Sequence, residues 1–186
     1  QRQMCIRDRP QADRSVLDTP LTVGGVVYGR GVGTHSISRM LFGLGGDAVS
    51  MTGAVGAAHA GWRGTAQAIG AKVVRAMAEN FGAKPENIRA AIGPGIGACC
   101  FEVGPEVVAA AEALLHEPLG ALVCPRADGK ALLDLKGVNA RRLAQLGVPA
   151  GQIAVSDTCT MCRPDVFWSH RATNGRRGVQ AAVITL

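Results

Sequence analysis

The stretch AVGAAHAGWRGTAQAIGAKVVRAMAENFG, residues 54–82, decides the fold, because a strand pattern gives way to a helix pattern within it. AVGAAH is a short apolar run of the kind that forms a buried strand. Helix is predicted from about Thr65 to Phe81, where an apolar side chain recurs at every fourth position from Ile69 onward. Gly82 follows directly, where glycine is favoured as a helix C-terminal cap. A buried strand followed at once by an amphipathic helix favours a layered α/β protein.

The alternation of strands and helices continues to the end of the chain. Further strands are predicted at IRAAIG (88–93), QIAVSD (152–157), DVFWSHRA (165–172) and VQAAVITL (179–186). The last of these is nearly continuous in its apolar character, so we expect it to be central. Further helices are predicted at 105–115, opened by proline, and at 134–146, capped by Asp134 and ended by Gly147. The predicted fold class is α/β, a single layered domain with mixed β-sheets flanked by helices.

The front of the chain is different. Residues 1–9, QRQMCIRDR, have no apolar period and do not begin with methionine, so they are interpreted as a non-native-looking leader. Residues 10–52 carry glycines at irregular spacing and sustain neither the period of a strand nor that of a helix. Consistent elements are predicted only from Gly53 onward.

Composition excludes several classes of protein. The 186 residues are 47% hydrophobic and 18% charged, which suits one packed domain and argues against global disorder. No apolar run approaches the roughly 20 residues that span a bilayer, and no secretory signal is visible. The net charge of +6 is not gathered into one stripe and only one tyrosine is present, so nucleic-acid binding is not expected. Six cysteines, two of them adjacent, do not resemble a disulfide scaffold, and a cytoplasmic location is predicted.

The loop after the first strand is the first candidate site. His59-Ala-Gly-Trp-Arg-Gly64 places a histidine at a strand end, and its glycines allow close approach of the backbone. His59 could be a metal ligand or a proton-transfer group, or simply a polar residue at a strand end. The start of the next helix favours an anion, and Arg63 adds donors suited to phosphate or carboxylate.

Two cysteine-bearing segments form the other candidates. GPGIGACCFE (93–102) is a glycine-rich loop that ends in two thiols, each of which could be a nucleophile, a soft ligand or buried filling. Glu102 is a charged residue among apolar neighbours, which indicates a polar interior. DTCTMC (157–162) contains one C-x-x-C pair, which suggests zinc or redox chemistry but cannot complete a four-cysteine zinc site locally. In FWSHR (167–171) the aromatic residues could wall a planar ligand beside Arg171, although core packing is the simpler interpretation of Phe167.

Taken together, AAHAGWRG, AAIGPGIGACCFEVGPEV, LDLKGVNARRLAQLGV and DTCTMCRPDVFWSHRA resemble the multicopper polyphenol oxidase-like family, also called the purine nucleoside phosphorylase or peptidoglycan editing factor family. The resemblance covers about residues 53–186. It implies an α/β metalloenzyme that binds zinc, with copper also possible, and acts on purine nucleosides and phosphate. The implied activities are phosphorolysis of adenosine, inosine or methylthioadenosine, and deamination of adenosine. It also implies that His59 is a metal ligand and that Glu102, Asn139 and Arg171 occupy family positions.

The chain also departs from the family. The family's other two metal ligands, in Gln-Val-His-Gly and Ala-Asp-Cys motifs, are absent, and Gly95 stands where many members carry cysteine. Family likeness is present at residues 12–20 and resumes at 54–56, so we interpret residues 21–52 as a frame-shifted patch in an incomplete N-terminal part (10–52), behind a truncated front. Resequencing the codons for residues 1–58 tests this. The candidate catalytic residues are His59, Arg63, Cys100, Glu102 and Arg171, and the candidate metal ligand is His59.

Two alternatives to a nucleoside phosphorylase remain open. One is copper-dependent oxidation of phenols, which would depend on oxygen rather than on phosphate. The other is a degenerate domain that binds a purine or a cell-wall precursor without turnover, which the missing metal motifs favour. Ligand-induced stabilisation without product would be its signature.

Overall fold

The computed structural model describes residues 55–176 in full, and the backbone of residues 21–23, 26–29, 33–35, 39–44 and 182–184. The strands are β1 (Leu21–Val23), β2 (Val26–Gly29), β3 (Gly33–His35), β4 (Arg39–Leu44), β5 (Val55–His59), β6 (Ile88–Ile92), β7 (Glu102–Val103), β8 (Val123–Pro125), β9 (Ala131–Leu133), β10 (Ile153–Val155) and β11 (Ala182–Ile184). The α-helices are α1 (Trp62–Ala66), α2 (Ile69–Phe81), α3 (Pro105–Leu115) and α4 (Leu135–Gln145). The predicted leader at residues 1–9 lies outside the described residues.

The main sheet has six strands in the order β1-β2-β5-β4-β6-β10. β5 and β6 both pair antiparallel with β4, and β6 pairs parallel with β10, so β5, β6 and β10 run in the same direction. Ala58 and Ile92 both lie opposite Met40, and Val155 lies opposite Ile92. The three parallel strands therefore end side by side, and the loops that follow them leave from one edge of the sheet, here called the carboxyl edge.

One core lies between the main sheet and the two helices α2 and α4. Each buried residue of this core exposes less than a tenth of its surface. The fully buried ones include Val73, Met77, Ile88 and Leu143. Burying an aliphatic side chain of this size contributes about 1.5–3 kcal/mol. This core holds the carboxyl edge on a rigid support.

The predicted helix over residues 65–81 is wrong in one respect, because the structure divides it into α1 and α2. Ala68 adopts a left-handed conformation with φ of 56°, which ends α1 and turns the chain into α2. Gly82 caps α2 with φ of 66°, as expected. The spacing of apolar residues does not reveal this break, because the break falls just before the apolar stripe begins at Ile69.

A second core lies around α3. It packs against the three-stranded antiparallel sheet β7-β9-β8 and includes Phe101, Leu115, Leu119 and Leu133. Trp62 packs against this core from α1. The tryptophan of the first candidate loop is therefore a packing residue of this second core.

The later helices were predicted correctly, whereas two of the later strands were not. The helices predicted at 105–115 and 134–146 are confirmed, the second with Asp134 accepting a hydrogen bond from the Gly137 N–H at 2.9 Å. The strand predicted at DVFWSHRA is wrong, because residues 164–166 and 170–175 form turns, with the N–H groups of Val166 and Phe167 donating to Arg163 O. The final strand is β11, but it pairs with β3 in a two-stranded sheet instead of lying centrally.

Strands β1 to β4 fall within residues 10–52, where no period indicated them. β4 alone supplies pairing partners to both β5 and β6. The mixed sheets and flanking helices confirm the α/β fold class. Among the described residues, no helix has the length and apolar character needed to cross a membrane.

Candidate functional site

The His59 loop starts at the carboxyl edge and is shaped by two glycines. A Cβ atom at Gly61 would lie 3.0 Å from His59 Nε2, and one at Gly64 would lie 2.9 Å from the His59 carbonyl oxygen. Both glycines therefore allow α1 to fold back over the histidine, which itself is exposed. This close approach explains the residue choice in the HAGWRG stretch.

A buried polar contact fixes this loop to α4. Asn139 Nδ2 donates to Thr65 Oγ1 at 2.9 Å and to Leu135 O at 2.8 Å. The Thr65 hydroxyl lies 3.3 Å from Asn139 Oδ1 and 3.4 Å from the carbonyl oxygen of Ala60, the residue after His59. Thr65 and Asn139 are 2% and 5% exposed, so this pair is shielded from water. Asn139 therefore holds the His59 loop against α4.

A small pocket, partly open to solvent, lies where the ends of β5 and β6 meet the start of α4. It is lined by Ala60, Ile92, Gly93, Gly95, Ile96, Leu135, Lys136 and Asn139. β5 and β6 are two strand spacings apart, about 10 Å, because β4 lies between them. Lys136 Nζ donates to the carbonyl oxygens of Ser156 and Thr158, which ties α4 to the loop after β10.

Arg63 and Arg171 lie on aromatic rings at the surface. The Arg63 guanidinium carbon is 4.4 Å from the Trp62 ring centroid, and that of Arg171 is 5.5 Å from the Phe101 ring centroid. Arg171 Nη1 also donates to the carbonyl oxygen of Glu102 at 2.7 Å. A guanidinium has five N–H donors, so both side chains retain capacity to bind an anion.

The Glu102 carboxylate is engaged in ion pairs at the surface. Its oxygens lie 2.8 Å from Lys130 Nζ and 3.7 Å from Arg126 Nε, with about a third of the side chain exposed. The hydrogen bond to Glu102 and the attraction of its charge raise the pKa of Lys130. Glu102 therefore belongs to a solvated charge cluster, whereas a polar interior was expected.

The cysteines converge in a way that the sequence spacing did not indicate. The Sγ atoms of Cys99, Cys100, Cys159 and Cys162, here called the cysteine cluster, all lie within 4.8 Å of one another. The loop after β6 supplies two of these thiols and the turn after β10 supplies the other two. Because β6 and β10 are parallel neighbours, both loops leave from the carboxyl edge. A four-cysteine set is therefore complete in space, although the single C-x-x-C pair could not complete one locally.

The thiols of the cluster differ in acidity. Burial opposes ionisation of Cys159, but N–H groups of Gly97, Cys162 and Met161 hydrogen-bond its sulfur and lower its pKa to about 6. The hydrogen bond with Cys159 and then burial raise the pKa of Cys99. Burial, followed by the neighbouring thiols, raises the pKa of the Cys100 thiol. One thiolate is therefore favoured within the cluster.

The candidate residues fall into three groups. His59 and Arg63 belong to the loop after β5, Cys100 belongs to the cysteine cluster, and Glu102 and Arg171 meet at the start of β7. Phe101, the ring beneath Arg171, was missed because a single aromatic residue in a loop has no pattern. Phe167 is half-buried and Trp168 is 51% exposed, and neither belongs to the two cores described above.

The sequence profile of the family described as multi-copper polyphenol oxidoreductase laccase matches residues 48–186. The chain belongs to this family. A second profile, of the NPCBM/NEW2 domain, matches residues 4–76, which is less than half of the chain and overlaps the first match.

Named proteins are similar to about two thirds or more of the chain. The purine nucleoside phosphorylase YlmD of Bacillus subtilis is 40% identical over 126 residues, 67% of this chain and 44% of the relative. The adenosine deaminase RL5 of an unknown prokaryotic organism is 42% identical over 122 residues, 66% of this chain and 46% of the relative. The crystal structure of YlmD from Geobacillus stearothermophilus has a TM-score of 0.75 at 33% identity, covering 86% of this chain and 60% of that chain. The chain spans about half the length of the curated relatives it matches.

Proposed function

We propose that this member of the laccase-like family acts as a metal-dependent purine nucleoside phosphorylase on adenosine, inosine or methylthioadenosine. The observation that carries the proposal is the meeting of the His59 loop and the glycine-rich loop around one pocket at the carboxyl edge. Open α/β sheets bind ligands outside the carboxyl ends of their strands. The names of YlmD and RL5 supply the substrate class.

Phosphorolysis breaks the bond between the ribose C1′ carbon and the purine nitrogen, and a phosphate oxygen then bonds to C1′. The purine nitrogen takes up a proton as it leaves, and the hydrogen phosphate ion supplies that proton overall. In the proposal, Arg63 and Arg171 bind the phosphate dianion, since guanidinium groups hold phosphate with two parallel hydrogen bonds. The apolar lining beside Ile92 and Ile96 receives the purine, and Asn139 holds the His59 loop in place.

The metal of this proposal needs ligands beyond those described. Within residues 55–176, the group of three or more metal-ligating side chains that comes together is the cysteine cluster, which does not include His59. His59 alone would bind zinc weakly, because catalytic zinc takes three protein ligands. We therefore derive no step through a metal at His59. Its partners would have to come from outside residues 55–176 or from another chain.

The test is conversion of inosine or adenosine by the purified chain, with and without phosphate. We expect free base only when phosphate is present, and we expect His59→Ala to abolish it. The matched control is His116→Asn, because His116 caps α3 in a left-handed conformation that asparagine also adopts. Equal turnover in the His59→Ala variant would remove His59 from the reaction, and conversion of adenosine to inosine without phosphate would indicate deamination.

The family description favours one second candidate, copper-dependent oxidation of phenols. This activity would require copper and oxygen and would ignore phosphate. Oxidation of a phenol in copper-loaded protein, with no release of base from nucleosides, would replace the leading proposal. Thermal stabilisation by a nucleoside with neither product would indicate a binding domain instead.

A further inference from the structure

The cysteine cluster joins two segments that lie far apart in sequence and are already held in register by the backbone. The N–H of Thr160 donates to Gly95 O at 3.0 Å, and the N–H of Gly97 donates to Cys159 Sγ at 3.2 Å. A Cβ atom at Gly97 would lie 3.1 Å from Cys159 Cβ and 3.3 Å from Cys99 Sγ. Glycine at this position therefore lets the two segments approach closely enough for their thiols to meet.

The spacing of the thiols fits a tetrahedral metal ion. Cys162 Sγ lies 3.6 Å from Cys99 Sγ and 3.4 Å from Cys100 Sγ. A zinc–sulfur bond of about 2.3 Å requires sulfur atoms about 3.8 Å apart at the corners of a tetrahedron. All four sulfur atoms lie within 4.8 Å of one another, so small side-chain rotations bring them onto that geometry.

The surroundings of the cluster supply hydrogen-bond donors to its buried sulfur, that of Cys159. Backbone N–H groups converge on Cys159 Sγ from Gly97 on one segment and from the C-x-x-C turn on the other. Hydrogen bonds of this kind to a ligating atom orient it and tune the metal. Four thiolates in a tetrahedron select zinc or iron, and a zinc ion in such a set has a structural role because no position is left open.

We propose that the cysteine cluster binds one zinc ion as a closed structural site that fastens the loop after β6 to the turn after β10. The site is separate from His59 and from the proposed phosphorylase chemistry. It stabilises the carboxyl edge beside the pocket, because both segments adjoin residues that line it, Gly95 on one side and Lys136, through Ser156 and Thr158, on the other.

The first test is the metal content and X-ray absorption of the full chain purified under reducing conditions with zinc. We expect one zinc ion per chain, bound by a shell of four sulfur atoms at about 2.3 Å. The His59→Ala variant should retain this zinc ion. Using the His59→Ala variant separates this zinc from any ion at His59. Nitrogen or oxygen neighbours in that shell, bound iron in place of zinc, or an intact mass that shows disulfides in the cluster would overturn the proposal. This measurement needs no cysteine substitution.

The second test uses ligand variants chosen to fold. Cys99 and Cys162 are exposed, so Cys99→Ser with Cys162→Ser leaves both cores intact. Cys124→Ser is the matched control, because Cys124 is also exposed and lies outside the cluster. In competition with a chelator, the double variant should bind zinc more than about 100-fold more weakly than the parent chain, a larger effect than the loss of an outer-shell partner. The control should match the parent chain. Equal zinc retention in the double variant would refute the site.

Discussion

The buried contact between Thr65 and Asn139 gives the sharpest prediction about stability, because it connects α1, α4 and the residue after His59. The two side chains share hydrogen bonds at 2.9 and 3.3 Å, and the Thr65 hydroxyl also lies 3.4 Å from Ala60 O. Both are almost fully buried. Removing either side chain therefore takes a hydrogen-bond partner from a polar group of the other. Water cannot take its place, because the site is buried.

The expected cost follows from that burial. A buried hydrogen bond contributes about 0.5–1.5 kcal/mol net, and an orphaned buried polar group costs about 1–3 kcal/mol. Asn139→Ala loses two donated bonds and leaves the Thr65 hydroxyl with a weak contact, so we expect it to lower the free energy of unfolding by about 2–4 kcal/mol. Thr65→Val keeps the shape and loses the hydroxyl, so we expect a loss of about 1–3 kcal/mol.

A double-mutant cycle measured by urea unfolding checks the contact itself. The double variant should lose less than the sum of the single losses by about 1 kcal/mol or more, because neither polar group remains to be orphaned. Strict additivity, within about 0.3 kcal/mol, would refute the coupling between these side chains.

Three further predictions concern single positions. Gly64→Ala should destabilise the protein by about 1–3 kcal/mol in thermal unfolding, because its Cβ would press on the His59 carbonyl oxygen, whereas Gly151→Ala, with open space around it, should change stability little. Leu143→Ala should cost about 2–5 kcal/mol in urea unfolding because Leu143 is fully buried in the first core. In zinc-free protein, ultraviolet thiolate absorbance should rise near pH 6 and should not do so in Cys159→Ala, since the pKa of Cys159 lies at about 6, below its ordinary value of 9.0. The stability that this thiolate contributes is present above pH 9 and is lost as the pH falls through about 6.

The sequence predicted best those elements whose ends are set by particular residues nearby in the chain. α3 begins at a proline and α4 at a capping aspartate, and both helices begin within a residue of the predicted position. The strand of residues 165–172 failed because its apolar residues follow Pro164, and the chain there closes hydrogen-bonded turns onto Arg163. Apolar content alone does not distinguish the two outcomes.

The sequence predicted which loops carry the candidate residues. It did not predict how these loops are placed relative to one another. The HAGWRG loop could be recognised from its residues, because glycines beside a histidine at a strand end have a local meaning. The cysteine cluster could not, since its halves are about sixty residues apart and meet only because β6 and β10 are parallel neighbours. The partners of Glu102 were equally hidden, because Lys130 reaches it through the pairing of β7 with β9.

Product analysis tests the proposed phosphorolysis of purine nucleosides. The purified chain would be incubated with inosine and phosphate, and free base and ribose phosphate would be quantified beside the Bacillus subtilis relative YlmD assayed under the same conditions. We expect equal amounts of the two products, formed only with phosphate present and lost in the His59→Ala variant. Absence of both products from this chain, under conditions in which YlmD converts the nucleoside, would contradict it.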